Sequence, residues 1–367
     1  MDRRVLELWR SELPIQLAPM GSVCATPRLA LAVAAAGGHA MYPALALPPA
    51  ALAPAVAALA DADAAFGVNF LIPMLDRGSL ELALERAPYV DFFLGDADPA
   101  LVERVHAAGA VCGWQVETAE EARAAAAAGC DMVVAKAWES GGRKRVEGPT
   151  LLPLLDGVLD AVGVPVVAAG GIATARGVAA ALAAGAAGVR VGTRFIAAAE
   201  SDAHPDWIAA VLAASPQDAV VSDAFNVGLV PPGPHRVLRG ALEAAAALPE
   251  GDAGVMRLAG AQIPVPRFGP QPPTRDSTGA TGAMAHYAGS RRAPCARSAR
   301  PPRSSPSWRP ASVRRPGHDG ARAHRRARIS PCRADPGLRG SHCLATGGSR
   351  YAGSVRFHRV RAASPRS

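Results

Sequence analysis

The chain lacks the marks of a metal-binding, secreted or membrane-spanning protein. Its six cysteines form no CxxC pair and no Cys/His group with zinc spacing, so we expect no metal site. The first twenty residues have no long apolar core and no cleavage site, which argues against a secretion signal. Apolar runs such as Ala175–Ala187 are too short and too often broken by glycine to cross a bilayer. We therefore expect a protein of the reducing cytoplasm without a membrane partner.

Lysine is absent from the last part of the chain, and the charge changes sign there. Residues 290–367 contain 19 Arg, no Lys and two acids, a net charge of +17, whereas residues 1–289 carry a net charge of −9. Leu, Ile, Val and Phe supply only seven of those last 78 residues, too few to offset the entropy lost on folding. We predict a disordered basic tail over residues 290–367.

Two origins of this tail remain open. It could be an arm that binds nucleic acid, or it could come from a shifted reading frame, because shifted GC-rich codons encode mainly Arg, Ala, Pro, Gly and Ser. The absence of Lys favours the shifted frame, since a selected basic arm usually mixes Lys with Arg. Together with the acidic first part, this leads us to expect no specific nucleic-acid partner.

Short β-branched runs alternate with alanine- and leucine-rich helical stretches through residues 1–202, the pattern of a parallel sheet wrapped by helices. The predicted strands lie near Ile15–Ala18, His39–Met41, Phe66–Leu71, Tyr89–Leu94, Val111–Gln115, Met132–Ala135, Pro165–Ala168 and Gly188–Val191. The helices predicted between them include Pro27–Ala36, Pro49–Ala60, Pro99–Ala108, Thr118–Ala128, Thr150–Val162 and Ala173–Ala184. Eight such units indicate an α/β fold of the (β/α)8 TIM-barrel type. An open doubly wound sheet is the alternative, but its G-x-G-x-x-G fingerprint is absent.

The barrel is followed by a shorter segment of different character. Residues 203–289 contain two predicted helices, Pro205–Ala213 and Arg236–Ala247, and a Pro/Gly-rich stretch around Pro264–Pro273. We expect this segment to form a small C-terminal cap that completes the barrel domain of residues 1–202.

Glycine turns end two consecutive strands in the run from Val164 to Phe195. One strand leads into Gly170-Gly171 and the next into Gly192-Thr193. Glycine lets the backbone approach a ligand closely, and a helix N-terminus offers unpaired N–H groups. By strand count these turns follow strands seven and eight, where TIM barrels bind phosphate. The pattern predicts a phosphate site, although glycines that only serve tight turns are the simpler alternative.

The other predicted strand ends carry groups that suit a flat polar ring. Met20 and Gly21 follow the first strand, Asn69 and Gln115 end the third and fifth, and Lys136 opens a glycine-rich cationic loop after the sixth. Amides can both donate and accept hydrogen bonds. A phosphorylated heteroaromatic ring with polar edges would match these groups, and flavin mononucleotide (FMN) fits that description.

Five blocks of sequence resemble those of nitronate monooxygenases, formerly called 2-nitropropane dioxygenases. They are APMG, GVN, VVAKAWESGG, VPVVAAGGI and VRVGTRF, in the family's order, and the resemblance extends from Pro14 to Gly289. The related flavin-dependent enoyl-acyl-carrier-protein reductases share most of these blocks. The resemblance implies FMN as cofactor. The predicted cofactor-binding residues are Met20, Gly21, Asn69, Gln115, Lys136, Gly141, Gly142, Gly170, Gly171, Arg190, Val191, Gly192 and Thr193.

Lys136 stands where the resemblance leads us to expect Gln. The exchange could be a tolerated one that keeps a hydrogen-bond donor. Alternatively, the fixed charge could stabilise an anionic reduced flavin. The second interpretation places Lys136 among the predicted catalytic residues.

Arg143 is the larger departure from the family pattern. The family loop commonly reads E-A-G-G-H, and its histidine removes the proton next to a nitro group, whereas this chain reads Glu139-Ser-Gly-Gly-Arg143. Arginine stays protonated at ordinary pH and cannot accept that proton, but it can hold an anion. We therefore predict Arg143 as a catalytic residue that favours a preformed nitronate over the neutral nitroalkane. His39 and His204 are weaker candidates for a replacement base.

The resemblance implies an FMN-dependent oxidoreductase that oxidises alkyl nitronates with O2 to a carbonyl compound and nitrite. Its expected partners are a small-molecule substrate and O2, with a homodimer as the candidate assembly. An NAD(P)H-dependent enoyl or quinone reductase is one alternative, and a flavin-binding protein without turnover is another. A lyase or isomerase that uses Lys136 as a Schiff-base former is a fourth.

Overall fold

The computed structural model describes residues 3–144, 147–258 and 261–290. Its strands are β1 Ile15–Leu17, β2 Ala40–Pro43, β3 Phe66–Leu71, β4 Tyr89–Phe93, β5 Val111–Val116, β6 Met132–Lys136, β7 Gly142–Arg143, β8 Val166–Ala169, β9 Gly188–Val191, β10 Ala219–Ser222, β11 His235–Leu238, β12 Asp252–Leu258, β13 Ala261–Pro266 and β14 Thr278–Gly279. Its α-helices are α1 Arg4–Trp9, α2 Arg28–Ala35, α3 Pro49–Asp61, α4 Arg77–Leu84, α5 Pro99–Ala107, α6 Ala119–Ala127, α7 Leu151–Ala161, α8 Ala175–Ala183, α9 Thr193–Ile196, α10 Pro205–Ala213 and α11 Arg239–Ala247. The predicted tail, residues 290–367, lies outside the described residues except for Ser290.

Eight parallel strands form one sheet in the order β1-β9-β8-β6-β5-β4-β3-β2. A parallel bridge between Gln16 and His39 joins the two edge strands and closes the sheet. The predicted TIM barrel is therefore confirmed, and each of the eight barrel strands lies within two residues of its predicted bounds. The open-sheet alternative is wrong.

Local sequence explains where several helices around the barrel begin. The side chains of Asp98, Thr118 and Thr174 each accept a hydrogen bond from a backbone N–H in the first turn of the helix that follows, which satisfies a donor that the helix leaves unpaired. Alanines such as Ala122 and Ala125 of α6 are buried, so that helix packs closely against the strands.

Helix α1, which the sequence pattern did not predict, closes the N-terminal end of the barrel. The Trp9 ring lies inside the strands and stacks on His39, with 5.3 Å between the ring centroids. Gly188 leaves room for it, because a Cβ at that position would lie 2.9 Å from the Trp9 ring. The opposite, C-terminal end of the barrel is where a cavity opens.

The segment after the barrel differs from the predicted helical cap. The predicted helix Arg236–Ala247 begins only at Arg239, because His235–Leu238 forms a strand instead. That strand, β11, pairs antiparallel with β10 and with the short β7, while β12 pairs with β13 and β14. Helix α4, between β3 and β4, was also not predicted. Among the described residues, no helix combines the length and apolarity needed to cross a bilayer.

Candidate functional site

A cavity of about 460 Å³ opens at the C-terminal ends of the barrel strands. Twelve of the thirteen predicted cofactor-binding residues line it, together with Arg143. The lining residues among those predicted are Met20, Gly21, Asn69, Gln115, Lys136, Gly141, Gly142, Gly170, Gly171, Arg190, Gly192 and Thr193. Val191 is the exception, because its side chain is buried in the hydrophobic core. The structure thus brings the predicted residues together around one space.

The two glycine turns lie side by side because β8 and β9 are neighbouring parallel strands. Gly170 and Gly171 have φ values of +110° and +65°, a region that favours glycine. A Cβ at Gly170 would lie 3.0 Å from the backbone nitrogen of Ser140. Glycine is therefore needed there for the close approach of the loop after β6.

The only two lysines of the chain, Lys136 and Lys144, hold the loop after β6 in place. The Lys136 ammonium donates to Glu117 Oε1 at 3.1 Å and to the Arg143 carbonyl at 2.6 Å, while Lys144 Nζ donates to the Ala137 carbonyl at 2.6 Å. Burial, and then the charge of Lys136, lowers the pKa of Lys144 to about 6. The charge of Lys136 already has a carboxylate partner in the protein.

Arg143 presents a cation to the cavity without an acidic partner in the described part of the chain. Its Nη2 donates to the Pro232 carbonyl at 2.9 Å, and the guanidinium packs so closely on Gly233 that a Cβ there would lie 2.6 Å from its Nε. Burial lowers the pKa of Arg143, but an arginine remains charged at ordinary pH. This side chain can bind an anion and cannot act as a base.

His235 is a cavity-lining residue that the sequence patterns did not indicate. It lies directly opposite Arg143 across the β7–β11 pair, and its ring stacks on Tyr287 with centroids 5.3 Å apart. Burial, and then the Arg143 charge, lowers the pKa of His235 to about 4, so the ring is neutral at pH 7. No sequence signal pointed to it, because its strand belongs to a small sheet outside the barrel repeat.

The histidines considered as replacement bases lie elsewhere. His39 is fully buried between Trp9 and Tyr89 and hydrogen-bonds Gln16 at 2.9 Å. Burial lowers the pKa of His39 to about 3. His204 caps helix α10, where its Nδ1 accepts a hydrogen bond from the Asp206 N–H. Neither residue lines the cavity, so both have structural roles.

The floor of the cavity is a buried network around Arg190. Its Nε donates to Gln16 Oε1 at 2.6 Å, and its Nη2 donates to Asp91. Asn69 Nδ2 donates to the other oxygen of Asp91 at 2.6 Å. The sequence blocks identified Asn69 and Arg190 but not Asp91 and Gln16, because those two lie outside the blocks.

Several features fit a polar cofactor such as FMN. Four residues lining the cavity have a buried polar side-chain atom without a hydrogen-bond partner, namely Arg190 Nη1, Trp207 Nε1, His235 Nδ1 and Gln271 Oε1. Buried polar groups normally have hydrogen-bond partners, so we expect a bound ligand to supply the missing partners. A Cβ added at Gly142 would have no neighbouring atom within 4 Å, so the cavity wall leaves open space at this position. Within the described residues, no cluster of acidic, His or Cys side chains could hold a metal ion.

Comparison with known proteins agrees with this geometry. Residues 76–239 match the family model "Nitronate monooxygenase". A Mycobacterium tuberculosis protein named (3aS,4S,5R,7aS)-5-hydroxy-7a-methyl-1-oxo-octahydro-1H-indene-4-carboxyl-CoA dehydrogenase is 37% identical over 64% of this chain and 65% of its own length. The chain therefore spans slightly less than two thirds of the length of that curated relative.

Two solved structures are similar in both sequence and fold. FabK from Thermotoga maritima is 36% identical with a TM-score of 0.59, over 65% of this chain and 75% of that one. Nitroalkane oxidase from Streptomyces ansochromogenes is 31% identical with a TM-score of 0.58, over 64% of this chain and 78% of that one. With its TIM barrel, its cavity and its sequence blocks in the family's order, this chain belongs to the nitronate monooxygenase family.

Proposed function

We propose that the chain is an FMN-dependent oxidoreductase that oxidises alkyl nitronates with O2 to a carbonyl compound and nitrite. The observation that carries the proposal is Arg143, a cation that lines the cavity and has no acidic partner among the described residues. A nitronate is a planar anion with two oxygens, and a guanidinium matches that geometry through two parallel N–H donors.

The cofactor would be held by residues at the ends of the barrel strands. Gly171, Gly192 and Thr193 would hold the phosphate, while Asn69 and Arg190 would meet the polar edge of the ring system. When bound, FMN would supply the capacity to take electrons from the substrate and pass them to O2. The Arg190 Nη1 atom without a partner supports a hydrogen-bond acceptor on the ligand at this position.

The chain's own residues would bind, orient and shield the substrate. Arg143 would hold the nitronate oxygens. Apolar side chains of the wall, including Met20, Leu71 and Ile172, would exclude water and strengthen that charge interaction. The ammonium of Lys136, held between Glu117 and the Arg143 carbonyl, would keep the loop that carries Arg143 in position.

The test is to mix the purified flavoprotein with ethylnitronate under nitrogen and then admit O2. We expect the visible flavin absorbance to bleach under nitrogen and nitrite to appear with O2. A colourless protein that takes up no FMN would refute the cofactor assignment. A yellow protein that ethylnitronate does not reduce would refute the nitronate reaction.

A dehydrogenase or reductase on the same scaffold is the second candidate. The similarity to the M. tuberculosis carboxyl-CoA dehydrogenase and to FabK favours it, because their sequence identities of 37% and 36% exceed the 31% of the nitroalkane oxidase. Adding NADPH or an acyl-CoA thioester under nitrogen separates the two candidates. Rapid bleaching by either compound, without bleaching by ethylnitronate, would support the second candidate.

A further inference from the structure

Among the described residues, His235 is the one histidine that lines the cavity. The strand that carries it lies outside the barrel, yet β11 pairs with the short strand inside the loop after β6. The pairing places His235 directly opposite Arg143, and side chains of opposed residues in an antiparallel pair point to the same face. A neutral imidazole and a fixed cation therefore share one wall of the cavity.

We propose that His235 is the proton acceptor of this site and that it works together with Arg143 on neutral carbon acids that carry two oxygens, such as nitroalkanes. This inference rests on the proposed function and extends it from the preformed anion to the neutral substrate. It assigns the base to β11, because Arg143 at the loop position cannot accept a proton.

The proton-transfer step needs no oxidant. The C–H bond next to the nitro group breaks, its electron pair moves into the nitro group as the nitronate, and the proton bonds to a ring nitrogen of His235. Negative charge thus develops on the oxygens beside the Arg143 guanidinium while positive charge develops on the imidazole. A charge placed to meet the developing anion lowers the barrier.

The groups around His235 keep its ring in the basic form. Arg143 on β7 and Lys136 on β6 are positive, the Tyr287 ring stacks on the imidazole, and the backbone of Gly233 lies beside it. Burial, and then the charges of Arg143 and Lys136, lower the pKa of His235, while the Gly233 backbone opposes them in part. When Arg143 pairs with an anion, less of its charge acts on the imidazole, so the bound nitronate would favour the protonated ring that forms with it.

The test measures exchange of the α-hydrogens of nitroethane in D2O by proton NMR. Under nitrogen, each flavoprotein can oxidise at most one substrate molecule, whereas exchange continues. We expect the wild-type exchange rate, after subtraction of the buffer rate, to fall about 100-fold in His235→Gln, since positioned bases contribute 10² to 10⁴. His106→Gln, at an exposed histidine on α5, should not change it, and imidazole should restore part of the exchange in His235→Ala.

The wild-type protein provides a second readout that does not depend on how a variant folds. Its exchange rate should rise with pH through the pKa of His235, about 4, and then level off. A wild-type profile without this rise between pH 4 and 6, or full exchange in a folded His235→Gln protein, would overturn the assignment. If exchange depends on His235 but ethylnitronate does not reduce the flavin, the proposed function fails while the base stands.

Discussion

Arg143 and His235 are direct partners across an antiparallel strand pair, and both side chains line the cavity. Arg143 comes from the loop after the sixth barrel strand, and His235 comes from a segment 92 residues later. Their pairing joins the barrel to the small sheet that follows it. One wall of the site therefore carries a cation that binds anions and a neutral imidazole that can accept a proton.

Replacing Arg143 with Gln should weaken binding of the anionic substrate. A hydrogen bond to a charged group contributes about 1.5–3 kcal/mol, so we expect the KM for ethylnitronate to rise about 10- to 100-fold. Steady-state nitrite release measures this. Arg239→Gln removes the same charge at an exposed position on α11 and should leave KM unchanged. Equal KM values in the wild type and Arg143→Gln would contradict the anchoring role.

The buried pair of Lys136 and Glu117 should be important for stability. Lys136→Met removes a cationic partner of the buried Glu117 carboxylate, and breaking a buried ion pair costs about 3–5 kcal/mol. Urea unfolding measures the loss. The double variant Lys136→Met/Glu117→Gln should recover part of this loss, because it removes both charges of the pair.

An exposed pair provides the control for that experiment. Arg86 and Asp61 form an ion pair at the surface, and exposed pairs contribute about 0–1 kcal/mol. Arg86→Met should therefore cost less than about 1 kcal/mol. A loss in Lys136→Met no larger than this would show that the buried pair does not stabilise the loop after β6.

Gly142 should be required for cofactor retention. It has a φ of +73° and lines the cavity, with nothing within 4 Å of an added Cβ. Ala there would cost about 1–2 kcal/mol in left-handed backbone strain and place a methyl group in the open wall. We expect a lower stability and a lower ratio of flavin to protein absorbance.

The matched substitution for Gly142→Ala lies in helix α11. Gly240 also has nothing within 4 Å of an added Cβ, but it is helical, so Gly240→Ala should stabilise the protein by about 0.5–1 kcal/mol. Flavin content should stay at the wild-type level in Gly240→Ala. A normal flavin content in Gly142→Ala would contradict the role of that glycine.

The stability of the fold should decrease as the pH falls below 6.5. Burial lowers the pKa of His39 to about 3 and the pKa values of His235 and His286 to about 4, from an ordinary value of about 6.5. Between these values the unfolded chain binds protons that the folded chain does not, so the free energy of unfolding falls by up to about 1.4 kcal/mol per pH unit for each histidine. Urea unfolding at pH 6.5 and 5 measures the slope.

A single substitution can isolate the contribution of one of these histidines to the pH dependence of stability. His286 stacks on Trp207 and lies outside the cavity lining. His286→Gln should lower the stability at pH 6.5 but make its decrease between pH 6.5 and 5 shallower. An unchanged slope would show that His286 does not titrate as a buried neutral group.

The barrel could be predicted from the sequence because its signals are local. Each β-branched run and each capped helix is specified by neighbouring residues, and the glycine turns at Gly170-Gly171 and Gly192-Thr193 follow directly from where those runs end. The sequence patterns did not indicate Asp91 and Gln16 as site residues. Both lie outside the sequence blocks that carry the family resemblance. Their hydrogen bonds to Arg190 join residues that are 99 and 174 positions apart.

The sequence by itself determined the (β/α)8 order of elements, the glycine turns and the absence of a base at Arg143. Only the tertiary structure decided that Lys136 forms an ion pair with Glu117, that His39 is enclosed inside the barrel and that His235 lies opposite Arg143. The physical reason is that helix caps, strand patterns and turns depend on residues near in sequence. The protonation state and the partner of a charged side chain depend instead on burial and on groups that folding brings from distant parts of the chain.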